Sequence, residues 1–226
     1  MLTKILVLIS LLAAPMLALA HGVDEGTQQF LTNNEGVAIL PFMYIGAKHM
    51  VTGYDHLLFL VGVIFFLYRA KDVLIYVSFF TLGHSLTLLL GVYQDIQVNA
   101  YLIDAIIGLS IVYKGFDNLG GFKRVLGFQP DTRAAVLIFG LFHGFGLANK
   151  LQNFEFAREG LLQNLIAFNV GVEIGQFLAL LFIVIALSFW RRYASYLHFS
   201  VATNVALMSG GFLLTFYQLS GYVVLQ

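Results

Sequence analysis

The feature that most constrains this chain is a series of long apolar segments separated by short polar connections. The segments lie at approximately residues 41–68, 73–93, 98–117, 133–150, 161–190 and 196–224. A helix of roughly 20 apolar residues crosses the hydrocarbon of a bilayer, and a helix satisfies its own backbone hydrogen bonds there. The chain is therefore predicted to be all-α, with six transmembrane helices that form one domain over residues 41–226.

Composition supports a membrane protein and excludes other classes of function. Of the 226 residues, 59% are hydrophobic and 11% are charged, which lies outside the range of soluble domains. The formal net charge is zero and no nucleic-acid-binding motif occurs, so binding of DNA or RNA is set aside. Because the chain has no cysteine, a metal site would have to use nitrogen and oxygen ligands.

The amino terminus has the pattern of a cleaved secretory signal peptide. Residues 1–20 combine one lysine, a short apolar core and the small-residue pattern Ala18-Leu19-Ala20, which predicts cleavage after Ala20. An uncleaved first membrane helix is the alternative. Cleavage would leave residues 21–40 as a periplasmic segment. His21 would then be the terminal residue, either as a metal chelator through its amine and ring or by coincidence.

Basic residues fall unevenly between alternate connections and therefore predict the orientation. Eight lie on one side, namely Arg69, Lys71, Lys114, Lys123, Arg124, Arg133, Arg191 and Arg192, and three on the other, namely Lys48, Lys150 and Arg158. The larger group is expected in the cytoplasm. We therefore expect a multi-pass protein of the bacterial inner membrane with both mature termini in the periplasm.

Polar residues inside the predicted spans share one depth. Counted at about 1.5 Å per residue, the outer half of the bilayer contains His49, Asp55, His56, His84, Asp104 and His143. Asn169, Glu173 and Gln176 share one face of the fifth span near mid-membrane. A lone histidine there often makes only an interhelical hydrogen bond, but an acid costs roughly 2.5–3.5 kcal/mol at mid-helix. The shared depth therefore predicts a common cation or proton site.

The spacing leaves some individual roles open. His49 and His56 are two turns apart and share a helix face, whereas Asp55 is rotated by about 100° from His56. Asp55 is therefore a metal ligand or an acceptor for a ring N–H. Asp104, nearest the outer interface, supports the site or is solvated in a water-filled vestibule. The groups expected to surround the ligands are Ser85, Asp104, Asn169 and Gln176.

Four sequence pieces carry a resemblance to a known family. They are "HMVTGYDHLLFL", "FFTLGHSLTLLL", "FGLFHGFGLANKL" and "FNVGVEIGQ", spread over nearly the whole mature chain. In this order they resemble the second subgroup of the HupE/UreJ family. The matching positions are His49, Gly53, Asp55 and His56, then His84 and Ser85, His143 and Gly144, and Asn169, Gly171 and Glu173. Asp104 replaces an expected glutamate, and "GLANKL" replaces a more usual Gly-Phe-Ala.

The resemblance implies an integral membrane protein, proposed as a nickel or cobalt permease that serves hydrogenase or urease maturation. Metalloenzyme maturation proteins are the partners that it suggests. Imidazole and carboxylate also suit Ni²⁺, Co²⁺ or Zn²⁺, whereas Cu(I) favours thiolate or thioether. We therefore expect a divalent transition metal, with the ligands drawn from His49, Asp55, His56, His84, His143 and Glu173.

Two classes of function fit such a centre. In the transport hypothesis, which we favour, the site takes a dehydrated ion from the periplasm and releases it inward. The spans lack an equally clear series of polar residues toward the cytoplasm, which argues against transport. In the hydrolase hypothesis, Zn²⁺ activates water and Glu173 or an aspartate acts as base on a lipid or lipoprotein bond. No His-Glu-x-x-His motif supports catalysis. A metal sensor or assembly factor is a third alternative.

Overall fold

A computed structural model describes residue 30 and residues 36–152 and 160–224. These residues form helices joined by short connections, and none of them lies in a β-strand. The all-α prediction is therefore confirmed for this part of the chain. The predicted signal peptide, its cleavage site, His21 and most of the predicted periplasmic segment lie outside the described residues, so these remain predictions.

The described residues contain eight helices. In chain order they are α1 (Ile39–Thr52), α2 (Tyr54–Ile64), α3 (Ala70–Tyr93), α4 (Ala100–Asn118), α5 (Gly121–Leu126), α6 (Thr132–Gln152), α7 (Leu161–Trp190) and α8 (Ser195–Val224). Within these ranges, four helices are long and apolar enough to cross a membrane, namely α3, α6, α7 and α8. The chain is therefore a multi-pass membrane protein, while the six-span count stays a prediction.

The first predicted span is divided into two helices at Gly53. Gly53 has an extended backbone, with φ −73° and ψ 98°, between the 14 residues of α1 and the 11 residues of α2. Its N–H donates to the carbonyl oxygen of His49 at 2.9 Å, which closes α1. A Cβ at this position would lie 2.7 Å from Nδ1 of His56, so a larger residue here would displace that ring. Gly53 itself is buried, although Val51 and Tyr54 beside it are exposed. Irregular backbone is tolerated at membrane depth where protein covers it.

The third predicted span corresponds to α4 and is less apolar than its neighbours. Its 19 residues include Asp104, Lys114 and Asp117, and all three side chains are buried. These charges separate α4 by composition from the four apolar helices named above. They are covered by the other helices, because α4 packs along α8 and also against α6 and α2.

Three helix pairs form most of the packing, namely α1 with α7, α3 with α6, and α4 with α8. Glycine allows the backbones to touch. A Cβ on Gly144 of α6 would collide with the carbonyl oxygen of His84 on α3, and one on Gly171 of α7 would collide with that of Met43 on α1. The short helix α2 lies among these pairs, and most of its residues are buried. Side chains on α2 can therefore meet residues from several helices at once.

Candidate metal centre

Four histidines and one aspartate meet in the interior, and they come from α1, α2, α3 and α6. We call His49, Asp55, His56, His84 and His143 the histidine cluster. His56 lies at its centre, with its ring centroid 5.2 Å from that of His49, 6.2 Å from that of His84 and 4.9 Å from that of His143. His49 is partly exposed, whereas the other four residues are buried. The structure therefore brings together all five of these predicted site residues.

Three members of the cluster have the spacing of a metal site. Ligand atoms of Asp55, His56 and His143 all lie within 4.8 Å of one another. Bonds from a divalent metal to nitrogen or oxygen are about 2.0–2.2 Å long, so the ligands of one ion lie about 3–4 Å apart. With His49 and Lys150, these residues line a small cavity of about 10 Å³, which is close to the least space that a single water needs. Such a cavity suits a dehydrated ion.

The cluster contains buried ring nitrogens that make no hydrogen bond. Nε2 of His56 and both ring nitrogens of His84 have no partner within the part of the chain that the structure describes. An unsatisfied buried polar group costs about 1–3 kcal/mol, which a bound ligand would offset. Imidazole nitrogen is a preferred ligand of Ni²⁺, Co²⁺ and Zn²⁺. The donor set therefore fits a transition metal.

Hydrogen bonds determine which nitrogen of two rings faces the cavity. Nδ1 of His56 lies 3.0 Å from Oδ1 of Asp55, and Nδ1 of His143 lies 2.8 Å from the carbonyl oxygen of Phe139. A ring N–H held by a carboxylate or carbonyl leaves Nε2 as the ligand and fixes the orientation of the ring. Asp55 is positioned to act on His56 in this way, while both roles predicted for it, ligand and acceptor for a ring N–H, stay predictions.

An apolar layer closes one side of the cluster. Three of its histidines are each accompanied, one helical turn away, by a phenylalanine, in the pairs His56 with Phe59, His84 with Phe80, and His143 with Phe139. The Phe59 ring centroid lies 5.4 Å from that of Phe80 and 6.0 Å from that of Phe139. We call these three rings the phenylalanine floor. In the predicted orientation the floor lies on the cytoplasmic side.

Glu173 lies apart from the histidine cluster. Its side chain is exposed on α7, where it lines a separate open groove together with Ser85 and Gln176. Asn169, one turn earlier, is buried and donates to the carbonyl oxygen of Leu165 at 3.4 Å. Metal-related roles for these four residues therefore stay predictions, and their surroundings differ from those of the buried histidines.

Lys150 is a site residue that the sequence interpretation missed. The sequence placed it among the loop residues of the outer side, but its side chain lines the small cavity. Its ammonium pairs with the buried Asp104 at 3.3 Å, so Asp104 is not simply a solvated acid. Two signals were available, because Lys150 follows His143 by two helical turns and stands in the "GLANKL" stretch that departs from the family pattern.

Comparison with known proteins agrees with this arrangement. Residues 25–226 match the family described as HupE / UreJ protein. The matched range includes the whole histidine cluster and all eight helices of the described residues. Neither the curated proteins nor the solved structures that were compared with the chain gave a match. By the extent of the family match, the chain belongs to the HupE/UreJ family.

Proposed function

We propose that the protein binds Ni²⁺, Co²⁺ or Zn²⁺ in the histidine cluster and carries the ion across the inner membrane. The observation that carries this proposal is the meeting of imidazoles from four helices around a carboxylate, with nitrogens of His56 and His84 that have no partner in the described chain. Membership of the HupE/UreJ family supports it, because this family is associated with nickel and cobalt transport.

The broken first span prepares the cluster for a cation. Asp55 lies in the first turn of α2, at the positive end of the helix dipole, which attracts negative charge. The carboxylate then balances part of the charge of the ion. His49 lies in the last turn of α1, at the negative end of that helix, which also favours a bound cation. Discontinuous helices of this kind form ion sites in other transporters.

The geometry corresponds to a state that is closed on one side. On the side predicted to face the periplasm, the cavity is bordered by the partly exposed His49 and Lys150. On the other side, Phe80 lies 5.0 Å from His143 between ring centroids and 5.4 Å from Phe59. Entry past Lys150 therefore requires less rearrangement than passage through the phenylalanine floor. Transport requires a second state in which an inward route opens.

We favour transport over the hydrolase hypothesis because of the position of the candidate bases. Catalysis needs a base beside an open position of the metal. Glu173, one of those bases, is exposed in a separate groove. Asp55 lies close to the candidate ion site, but it is already engaged by Nδ1 of His56 at 3.0 Å. Asp55 therefore orients a ligand and is not available as a base.

Uptake into proteoliposomes of known orientation tests the proposal. The wild type should accumulate at least one of Ni²⁺, Co²⁺ and Zn²⁺ under a pH gradient or a voltage, and a His56→Ala, His143→Ala double variant should not. His198→Ala is the matched control, because His198 is exposed and lies outside the cluster. Tight binding of a metal by the wild type without accumulation under either gradient would contradict transport. Metal-dependent turnover of a lipid that the double variant loses would support the hydrolase.

A further inference from the structure

A second polar site lies in an open groove between α3 and α7. These helices contact each other far less than α3 contacts α6 or α7 contacts α1, and the separation leaves a cavity of about 440 Å³. Its polar residues are Ser78, Thr81, Ser85, Glu173 and Gln176. The groove is distinct from the small cavity that His49, His56 and His143 line.

The donors of the groove differ in kind from those of the histidine cluster. Among the described residues, three hydroxyls, one carboxylate and one amide line it, and no imidazole does. Oxygen donors of this kind suit hard cations that keep part of their water, whereas imidazole suits dehydrated transition metals. One water occupies about 30 Å³ in the liquid, so the groove has room for a divalent ion with its first hydration shell.

Gln176 indicates that something binds in this groove. Its side chain is only 1% exposed, and its Oε1 accepts a hydrogen bond from the hydroxyl of Thr81 at 2.9 Å. Its Nε2 is buried and has no hydrogen-bond partner among the described residues. This amide therefore requires an oxygen acceptor, while Glu173, one turn away, attracts positive charge. A hydrated cation is compatible with both, because its first-shell waters donate to the carboxylate and hydroxyls, and an outer-shell water accepts from Nε2.

The groove runs beside the phenylalanine floor. On α3, Ser85 directly follows His84, and Thr81 and Ser78 lie about one and two turns closer to the Ala70 end. At about 1.5 Å per residue, Ser78 is about 9 Å beyond the level of His84. Phe80 of the floor lies between these levels. The groove therefore provides polar groups both at the depth of the cluster and past the apolar layer.

We propose that this groove is a second cation site, which holds a hydrated divalent ion through Glu173, Gln176 and the neighbouring hydroxyls. The ion reaches it sideways from the histidine cluster and so passes the phenylalanine floor on the way inward. The evidence for binding comes from the residues of the groove, whereas the transit role rests on the proposed transport function.

Binding of Mn²⁺ tests the site separately from transport. Mn²⁺ prefers carboxylate and water ligands, and free and bound ion are distinguished by electron paramagnetic resonance of the full chain in nanodiscs. Wild type should bind Mn²⁺, and the His56→Ala, His143→Ala variant should keep this binding. Glu173→Gln should weaken it by at least about tenfold. Asp72→Asn is the matched control, because Asp72 lies outside the groove and forms a surface pair with Arg69 at 3.9 Å.

Two further variants guard against a loss of Mn²⁺ binding that is caused only by misfolding of Glu173→Gln. Ser78→Ala with Ser85→Ala removes two hydroxyls and should weaken Mn²⁺ binding, and Gln176→Leu should do the same without a change in charge. Unchanged binding in Glu173→Gln would overturn the site. Equal loss in the histidine variant would place the ion in the cluster instead and would overturn it too.

Metal uptake tests the transit role separately from Mn²⁺ binding. Glu173→Gln should slow Ni²⁺, Co²⁺ or Zn²⁺ uptake by at least about tenfold while leaving equilibrium binding in the histidine cluster unchanged. Normal uptake in this variant would refute the transit role. If the wild type transports none of these metals, the proposed function fails, and the groove is still judged by Mn²⁺ binding alone.

Discussion

Two buried polar regions of the molecule differ in how completely their hydrogen-bonding groups are paired. We define the inner polar network as Lys114, Asp117, Asn118 and Asn204, at the far end of α2 from the cluster. Lys114 donates to Asp117 at 2.5 Å, and Asp117 also accepts from side chains at and just before the start of α6. Asn118 donates to Asn204 and to the carbonyl oxygen of Gly62, each at 2.8 Å.

The histidine cluster is equally buried but incompletely paired. His84 is 1% exposed and Asn204 is 0% exposed, yet neither ring nitrogen of His84 has a hydrogen-bond partner in the described chain. Nδ2 of Asn204 donates to the carbonyl oxygen of Ser200 at 2.8 Å. Burial alone therefore does not separate a structural polar group from a functional one. These two regions differ instead in how many of their donors and acceptors are satisfied, and an unpaired group lowers stability unless a ligand completes it.

The largest effect that follows from this comparison is on metal affinity. Replacing His56 and His143 together by alanine should raise the Kd for the tightest of Ni²⁺, Co²⁺ and Zn²⁺ by at least about 100-fold, because two ligands are lost. Asn118→Ala, in the inner polar network, should leave the Kd within about twofold. Isothermal titration in detergent measures both. A comparable loss in the two variants would mean that the cluster is not the metal site.

The free energy of unfolding should respond in the opposite way, with the larger loss in the inner polar network and little or no loss in the histidine cluster. Asn118→Ala should lower the free energy of unfolding by about 1–3 kcal/mol, because the Asn204 amide oxygen loses its donor. His84→Leu should leave the free energy of unfolding unchanged or raise it by about 1 kcal/mol in metal-free protein, because it removes buried polar atoms that have no partner. Reversible chemical unfolding in micelles provides the measurement. A clear destabilisation by His84→Leu would show that this histidine is structural.

The break between α1 and α2 should matter for the cluster and little elsewhere. Gly53→Ala places a Cβ 2.7 Å from Nδ1 of His56 and 3.2 Å from Oδ1 of Asp55, which disturbs the pair that orients His56. The metal Kd should rise by about tenfold. Gly210→Ala is the matched control, because no described residue outside its own helical turn has an atom within 4 Å of the added Cβ. Equal affinities of the two variants would contradict a role for the break.

The smallest expected effect concerns the charge at the cavity. Lys150→Gln removes an ammonium from the lining of the small cavity and should lower the metal Kd by a few fold, since like charges repel. The effect should shrink at high salt, because Lys150 is partly exposed. Lys123→Gln, on the exposed surface of α5, is the control. A weaker metal affinity in Lys150→Gln would indicate instead that Lys150 holds Asp104 in a supporting position.

Much of the fold and part of the candidate site follow from local features of the sequence. Apolar length predicted the four long spanning helices, because the hydrocarbon thickness sets the length of any crossing helix. Polar depth predicted that His49, Asp55, His56, His84 and His143 would lie together. Depth is a one-dimensional quantity, and residues at equal depth on packed helices meet when they face the interior.

The tertiary structure decided the rotations and breaks that depth cannot predict. Glu173 was predicted near mid-membrane as a ligand, but it opens onto a groove, because α3 and α7 stand apart there. Lys150 belongs to the cavity because α6 turns that side chain toward Asp104 of α4. Whether a helix continues through Gly53 or breaks there depends on the surrounding side chains. The sequence determined which groups must be buried, and packing determined which of them remained available to a ligand.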